Sequence, residues 1–272
     1  MRRIAVLSFV FLYAFTTKTD IKIDPKNGKN LPGLLSGNSV SPAATYLVDS
    51  LYNELHLGEV GLNKQAFFNA YKGYQYLISQ DKIANQDLLT ICDYSQPSDQ
   101  KRLYVIDLKN NLIAYNTYVA HGHNSGADMA TSFSNLISSN KSSLGFLVTA
   151  ETYEGHNGYS MRFDGMEKGI NNNVRPRDVV MHGSAYVCDD RAKNGILMGR
   201  SWGCPAIAST ECRQIIDEIK GGTCFYIYSP NAIYMHQSPI LNARFDWPSL
   251  NVIPTLADIK AQKEIEPAIA VQ

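Results

Sequence analysis

The sequence predicts a mainly β domain, preceded by a helical pair and carrying one or two further helices. Three observations predict it. Apolar residues recur every three to four positions between residues 41 and 82, the repeat of a helix face. From about residue 85 the repeat shortens to two, as in strands with one buried face. Only residues 209–222 return clearly to the helical repeat.

The elements follow in order. "MRR" and the apolar run of residues 4–15 read as a signal peptide, residues 1–17, because the run is too short to span a membrane. This places the mature protein outside the cytoplasm. Residues 18–40, rich in Gly, Asn and Ser, read as a linker. A helix then starts with Ser41 as N-cap and Pro42 at its first position, and Leu47, Leu51 and Leu55 form its stripe. A second helix carries Phe67, Ala70, Tyr71, Tyr74, Leu77 and Ile78 on one face. Together they form an extension, residues 41–82, expected to pack on the body at 83–230.

Within the body, "LLTICDYS", "RLYVIDLK", "LIAYNTYVA", "LGFLVTAETY", "GYSMRFDG", "DVVMHGS" and "TCFYIYS" read as strands. Asn110 and Asn111 supply a turn between the second and third. The late helix, "STECRQIIDEIKGG", has Ser209 as cap, Cys212, Ile215, Ile216 and Ile219 as buried stripe, and Gly221 as its end. Residues 231–272, with several prolines, read as a tail wrapping the body.

Composition narrows the function. Of 272 residues, 18% are charged, and 25 basic balance 25 acidic, so no basic block invites nucleic acid. The five cysteines, Cys92, Cys188, Cys204, Cys212 and Cys224, are odd in number, so one thiol at least is free or pairs between chains. With no C-x-x-C pair and only His121 and His123 close together, no metal or other cofactor is expected.

Chemistry concentrates in "GRSWGCPAIAS", residues 199–209. Cys212 and Cys224 lie on apolar stripes, as packing residues do, and Cys188 sits in a polar loop. Cys204 lies on no stripe and is wrapped in Gly, Trp and Pro. A cysteine acts as nucleophile when a base or positive field stabilises its thiolate. His182, at the end of an apolar strand and followed by Gly183, is the candidate base. Gly183 and Gly203 would admit a substrate backbone, and the N–H groups of Gly203 and Cys204 are candidate oxyanion donors. The polar stretch 120–135, with His121 and His123, reads as a substrate-lining loop.

"MHG" followed by "SWGCPA" resembles the L,D-transpeptidase catalytic domain, the YkuD-like family. That family carries a His-Gly pair and a Ser/Thr-x-Gly-Cys motif; His182 and Gly183 match the first, Ser201, Gly203 and Cys204 the second. "VAHGHNSG", "SSLGFLVTAETYEG" and "GYSMRFDGMEKG" extend the likeness over roughly residues 45–230. The resemblance implies a β-sandwich-like fold with Cys204 and His182 under a loop-lined cleft, in a periplasmic or envelope enzyme acting on peptidoglycan stem peptides. Cys204 would attack the carbonyl of the third stem residue and expel D-alanine. An amine acceptor would give a 3→3 cross-link, and water an L,D-carboxypeptidase. Ser201, Trp202, Arg200, Gly183, His121 and His123 are the expected substrate contacts. The chain departs from the family at Ala206, where many members carry arginine; Arg200, or Arg175 and Arg177, would supply the charge. Two alternatives remain: an inactive wall-binding envelope protein, or another cysteine peptidase of the wall. In papain-like peptidases the cysteine precedes the histidine, and here it follows.

Overall fold

The computed structural model describes residues 41–198 and 200–247. The segments expected to be a signal peptide and a linker, and the expected tail beyond residue 247, lie outside them. No described helix is long and apolar enough to cross a membrane.

Helix α1 spans Pro42–Glu54, and the Ser41 Oγ accepts from the Ala44 N–H at 3.1 Å. Its buried stripe is Ala44, Val48 and Leu55, with Leu47 and Leu51 only half-buried. Helix α2, Lys64–Ser79, is capped by the Asn63 side chain and buries Phe67, Ala70, Tyr71, Tyr74 and Leu77. Each of these large side chains contributes about 2 kcal/mol by leaving water. They pack on the sheet, sharing one core with Ile91, Phe146 and Tyr226.

The strands are β1 (Leu88–Asp93), β2 (Leu103–Asp107), β3 (Leu112–Thr117), β4 (Gly145–Gly155), β5 (Gly158–Gly165), β6 (Val180–Ser184), β7 (Ala206–Ala208) and β8 (Cys224–Tyr228). They form one eight-stranded sheet in the order β3-β2-β1-β8-β4-β5-β6-β7. The β1–β8 and β6–β7 pairs are parallel, and the other pairs are antiparallel. The mainly β class and the helical pair are therefore as the sequence predicts.

Four details differ from the sequence reading. Strand β7 was not anticipated; three residues after Cys204-Pro205 are too few to show alternation. Two short helices, α3 (Asp189–Lys193) and α5 (Ala232–Gln237), flank the late helix α4 (Ser209–Ile219). Ser209 does not cap α4: Ala208 holds the cap position and no side chain bonds there. All five cysteines are free, with Cys92, Cys204, Cys212 and Cys224 buried.

Two placements matter for the site. Helix α4 follows β7 directly and packs on β5, β6 and β7. After β8, residues 231–247 lie over α2: the Phe245 ring sits 5.3 Å from Tyr76, and Trp247 6.0 Å from Phe68. Lys72 Nζ donates to the Leu241 carbonyl at 2.5 Å. The buried Glu167 carboxylate accepts from Tyr234 and from Ser238, which fixes the start of this segment.

Candidate active site

His182 is the third residue of β6, paired with Ser160 of β5 and with Ala206 of β7. Since β7 begins two residues after Cys204, this register carries the cysteine to the end of the sheet beside β6. Val180 lies two residues before His182 on the same strand, and its N–H donates to Cys204 Sγ at 3.4 Å. The thiol in turn donates to the Asp178 carbonyl at 3.6 Å. Among the described residues no direct hydrogen bond joins Cys204 to His182. The two side chains that the sequence singled out are thus tethered through one strand, in a resting arrangement where the thiol proton faces a carbonyl.

The imidazole is nearly buried, and its Nδ1 bonds the Gly183 carbonyl at 2.9 Å. A carbonyl only accepts, so Nδ1 carries the proton and Nε2 keeps a lone pair. Burial holds the His182 pKa below its ordinary value, against the opposing pull of the Gly183 carbonyl. The ring is neutral at pH 7 and able to take a proton. Burial also raises the Cys204 thiol, while the Val180 N–H and Arg177 work to lower it.

Cys204 sits on a built turn. Ser201 Oγ donates to the Cys204 carbonyl at 2.6 Å and accepts from the Gly203 N–H at 3.1 Å. Gly203 has φ +120°, a conformation closed to side chains, and a Cβ there would lie 2.8 Å from the Lys141 carbonyl. Residues 120–123 run alongside: Ala120 bridges Ala206, Gly122 bridges Ser201, and the His123 N–H donates to the Ser201 carbonyl at 2.8 Å. The two polar motifs, far apart in sequence, therefore form one structure.

Several expected contacts need correction. Ser201 is buried and spent on the turn, so it shapes the site rather than touching substrate. The Gly203 N–H already serves Ser201, which leaves the Cys204 N–H as the unengaged donor for an oxyanion among the described residues. Gly183 admits helix α4 rather than a substrate: a Cβ there would lie 3.1 Å from Cys212 Cβ and from Ser209 Cα. His121 is wholly buried, its Nδ1 2.8 Å from Arg102 Nη2, so it braces the loop from beneath. Burial and Arg102 lower its pKa to about 4.

Trp202 stays open, 79% exposed two residues before Cys204. Its neighbour Arg200 is exposed and donates Nη1 to the Gly126 carbonyl at 2.8 Å. Arg175 is occupied by carboxylates: Nη1 meets Glu151 at 2.7 Å and Nε meets Asp164. Arg177 has a different setting, with Nη1 on the Ser134 carbonyl and Ser143 Oγ, and Nη2 on the Lys141 carbonyl and Ser139 Oγ. Pattern reading ranked it behind Arg200, because its proximity to Gly203 is made by a loop from 134 to 143. Cys204 precedes a strand and opens no helix, unlike the papain-like arrangement. A separate cavity of about 260 Å³, lined by Lys101, Cys188, Asp189 and Glu211 among others, includes neither Cys204 nor His182.

The family model of the L,D-transpeptidase catalytic domain matches residues 59–228. The chain shows no match to a curated protein sequence. Solved structures similar to it include an L,D-transpeptidase from Mycobacterium smegmatis, 10% identical with a TM-score of 0.32, covering 53% of this chain and 59% of that one. An L,D-transpeptidase from Stackebrandtia nassauensis is 11% identical at 0.33, covering 68% and 77%. One from Xylanimonas cellulosilytica is 12% identical at 0.33, covering 70% and 95%. The chain spans 50–59% of the length of the first structures it matches.

Proposed function

From the premise that this chain belongs to the L,D-transpeptidase catalytic domain family, we propose that it is a cysteine acyltransferase of peptidoglycan stem peptides, with Cys204 as nucleophile and His182 as base. The observation that supports it best is the β6 tether: Val180 bonds the thiol, and His182, two residues on, offers a neutral imidazole with a free Nε2 lone pair.

The steps follow from these groups. A tetrapeptide stem brings the carbonyl of its third residue to Cys204. His182 Nε2 takes the thiol proton, and the Sγ–H bond to the Asp178 carbonyl breaks. Sulfur attacks the carbonyl carbon, and the oxyanion accepts from the Cys204 N–H. The imidazolium returns the proton to the leaving amide nitrogen, and D-alanine departs, leaving a thioester. An acceptor amine then loses its proton to Nε2 and attacks the thioester, and the thiol is regenerated. Water in place of the amine gives the trimmed tripeptide. Ordinary proton transfer of this kind contributes roughly 10²–10⁴-fold to rate.

Trp202 and Arg200, both exposed at the rim, are the proposed substrate contacts, with His123 beside them. The setting is the cell envelope, reached through the N-terminal segment. The test is incubation of the full chain with purified disaccharide-tetrapeptide, with products read by mass spectrometry. D-alanine release with a tetra-tri dimer supports transpeptidation, and release with tripeptide alone supports carboxypeptidation. No release of D-alanine would overturn the proposal.

A further inference from the structure

A buried or half-buried guanidinium normally sits opposite a carboxylate, because an unpaired charge is expensive away from water. Arg175 and Arg162 obey this, facing Glu151, Asp164 and Asp178. Arg177, two residues after Arg175, does not. Its four hydrogen bonds all go to neutral oxygens: the Ser134 carbonyl at 2.6 Å, Ser143 Oγ at 2.9 Å, Ser139 Oγ at 3.2 Å and the Lys141 carbonyl at 2.5 Å. The positive charge is therefore held in place but not cancelled.

Its position gives that charge a purpose. A Cβ on Gly203, the residue before the nucleophile, would lie 3.3 Å from Arg177 Nη2. The next residue, Asp178, takes the positive φ of +49° and presents its carbonyl to Cys204 Sγ. So one turn, 173–178, delivers both the guanidinium and the thiol's hydrogen-bond acceptor to the nucleophile. Tyr186 and the Asp178 carboxylate also act on Cys204, the latter paired with Arg162 at 3.2 Å, and His182 of β6, its pKa lowered by burial, stands two residues along the strand from the Val180 N–H that bonds the thiol. Lys141 contributes its carbonyl, while its Nζ turns to Ser132 Oγ at 2.7 Å. The Lys141 ammonium is thus turned to Ser132, and among the described residues Arg177 is the cation that acts on the Cys204 thiol with no acid against it.

We propose that Arg177 is a positioning residue whose uncancelled charge stabilises the Cys204 thiolate, and that its four bonds serve to hold that charge beside the turn. It is not a fork for substrate carboxylates, since both Nη atoms are already doubly engaged. This rests on the reading of Cys204 as nucleophile. A nearby opposite charge lowers a pKa by about one to three units, enough to counter part of the burial that raises this thiol.

The test is the pH dependence of iodoacetamide alkylation at Cys204, followed by peptide mass spectrometry in the full chain. In Arg177→Met the midpoint should rise by about one to three pH units. Arg177→Lys keeps the charge but loses the fork. It should keep the midpoint within about half a unit while melting at a lower temperature. A scaffold role alone predicts the reverse: lowered melting in both variants and an equal midpoint in both. An unmoved midpoint in Arg177→Met overturns the Arg177 role and leaves the nucleophile reading standing. If the Met variant does not fold, Arg177→Gln, neutral but able to keep hydrogen bonds to the same oxygens, takes its place: a raised midpoint there supports the role of the charge, and an unmoved one overturns it. A Cys204 that resists alkylation in the unchanged chain, at every pH where free thiols react, overturns the nucleophile reading and this inference with it.

Discussion

Gly203→Ala tests the built turn under Cys204, the proposed nucleophile. Two costs arise, and the structure separates them. The first is conformational: φ +120° lies where L side chains are strained, at about 1–3 kcal/mol. The second is steric: the new methyl would sit 2.8 Å from the Lys141 carbonyl, a backbone atom that cannot swing aside, and 3.3 Å from Arg177 Nη2. Relieving it means moving the 139–143 loop or the turn, at about 1–3 kcal/mol for overpacking. Together the loss is about 2–6 kcal/mol, or roughly 4–24 °C in melting temperature for a domain of this size. Gly158→Ala is the control. It has φ +74° with nothing within 4 Å of the new methyl, so it carries the conformational cost alone, about 1–2 kcal/mol. Calorimetry on both variants gives the steric share by difference. Alkylation of Cys204 should also slow in Gly203→Ala and stay native in Gly158→Ala. Equal losses of stability, with native alkylation in both, would refute the close-packed turn.

Further outcomes are expected. His182 is held below its ordinary pKa by burial, so the acid limb of kcat/KM should fall at a pH below about 6.5, where a free histidine titrates; a midpoint above that value would contradict the buried, neutral base. For His121 the unfolded chain binds a proton below about 6.5 and the folded chain only near about 4. The His121 contribution to stability is therefore full above that window and falls through it by about 1.4 kcal/mol per pH unit; His121→Gln should remove that share of the slope in denaturant titrations and leave the share of His182. Cys212→Ala and Cys224→Ala, both in the core, should each cost about 1–2 kcal/mol in unfolding free energy and leave Cys204 alkylation intact. Arg175→Ala removes an exposed ion-pair cluster and should change both stability and turnover little, about 1 kcal/mol or less by melting.

Much of the fold was legible in residue order, as were the two residues of the proposed site that share β6 through the Val180 bond, and physical reasons mark where legibility stopped. The strand runs and the stripe Cys212, Ile215, Ile216 and Ile219 are local signals, and the structure has strands and helix there, although β1 and β8 are buried on both faces rather than one. Cys204 stood out by lying on no stripe, and His182 by ending one. The strand β7 was invisible because three residues carry no period. What Ser201, Gly183 and His121 do depends on contacts between distant segments: Ser201 folds back on Cys204, Gly183 meets α4, and His121 meets Arg102. A sequence pattern records that such residues are special but not which surface makes them so. Arg177 is the clearest case, since its neutral cradle is assembled from residues 134–143.

The central claim is that acyl transfer passes through a thioester on Cys204. The most direct measurement is intact-protein mass spectrometry of the full chain quenched during reaction with disaccharide-tetrapeptide, followed by peptide mapping. The account predicts an adduct of the substrate less D-alanine on the peptide containing Cys204, absent in a Cys204→Ala variant that melts like the unchanged chain. D-alanine release at the native rate by that variant, or an adduct mapped to another residue, would contradict it.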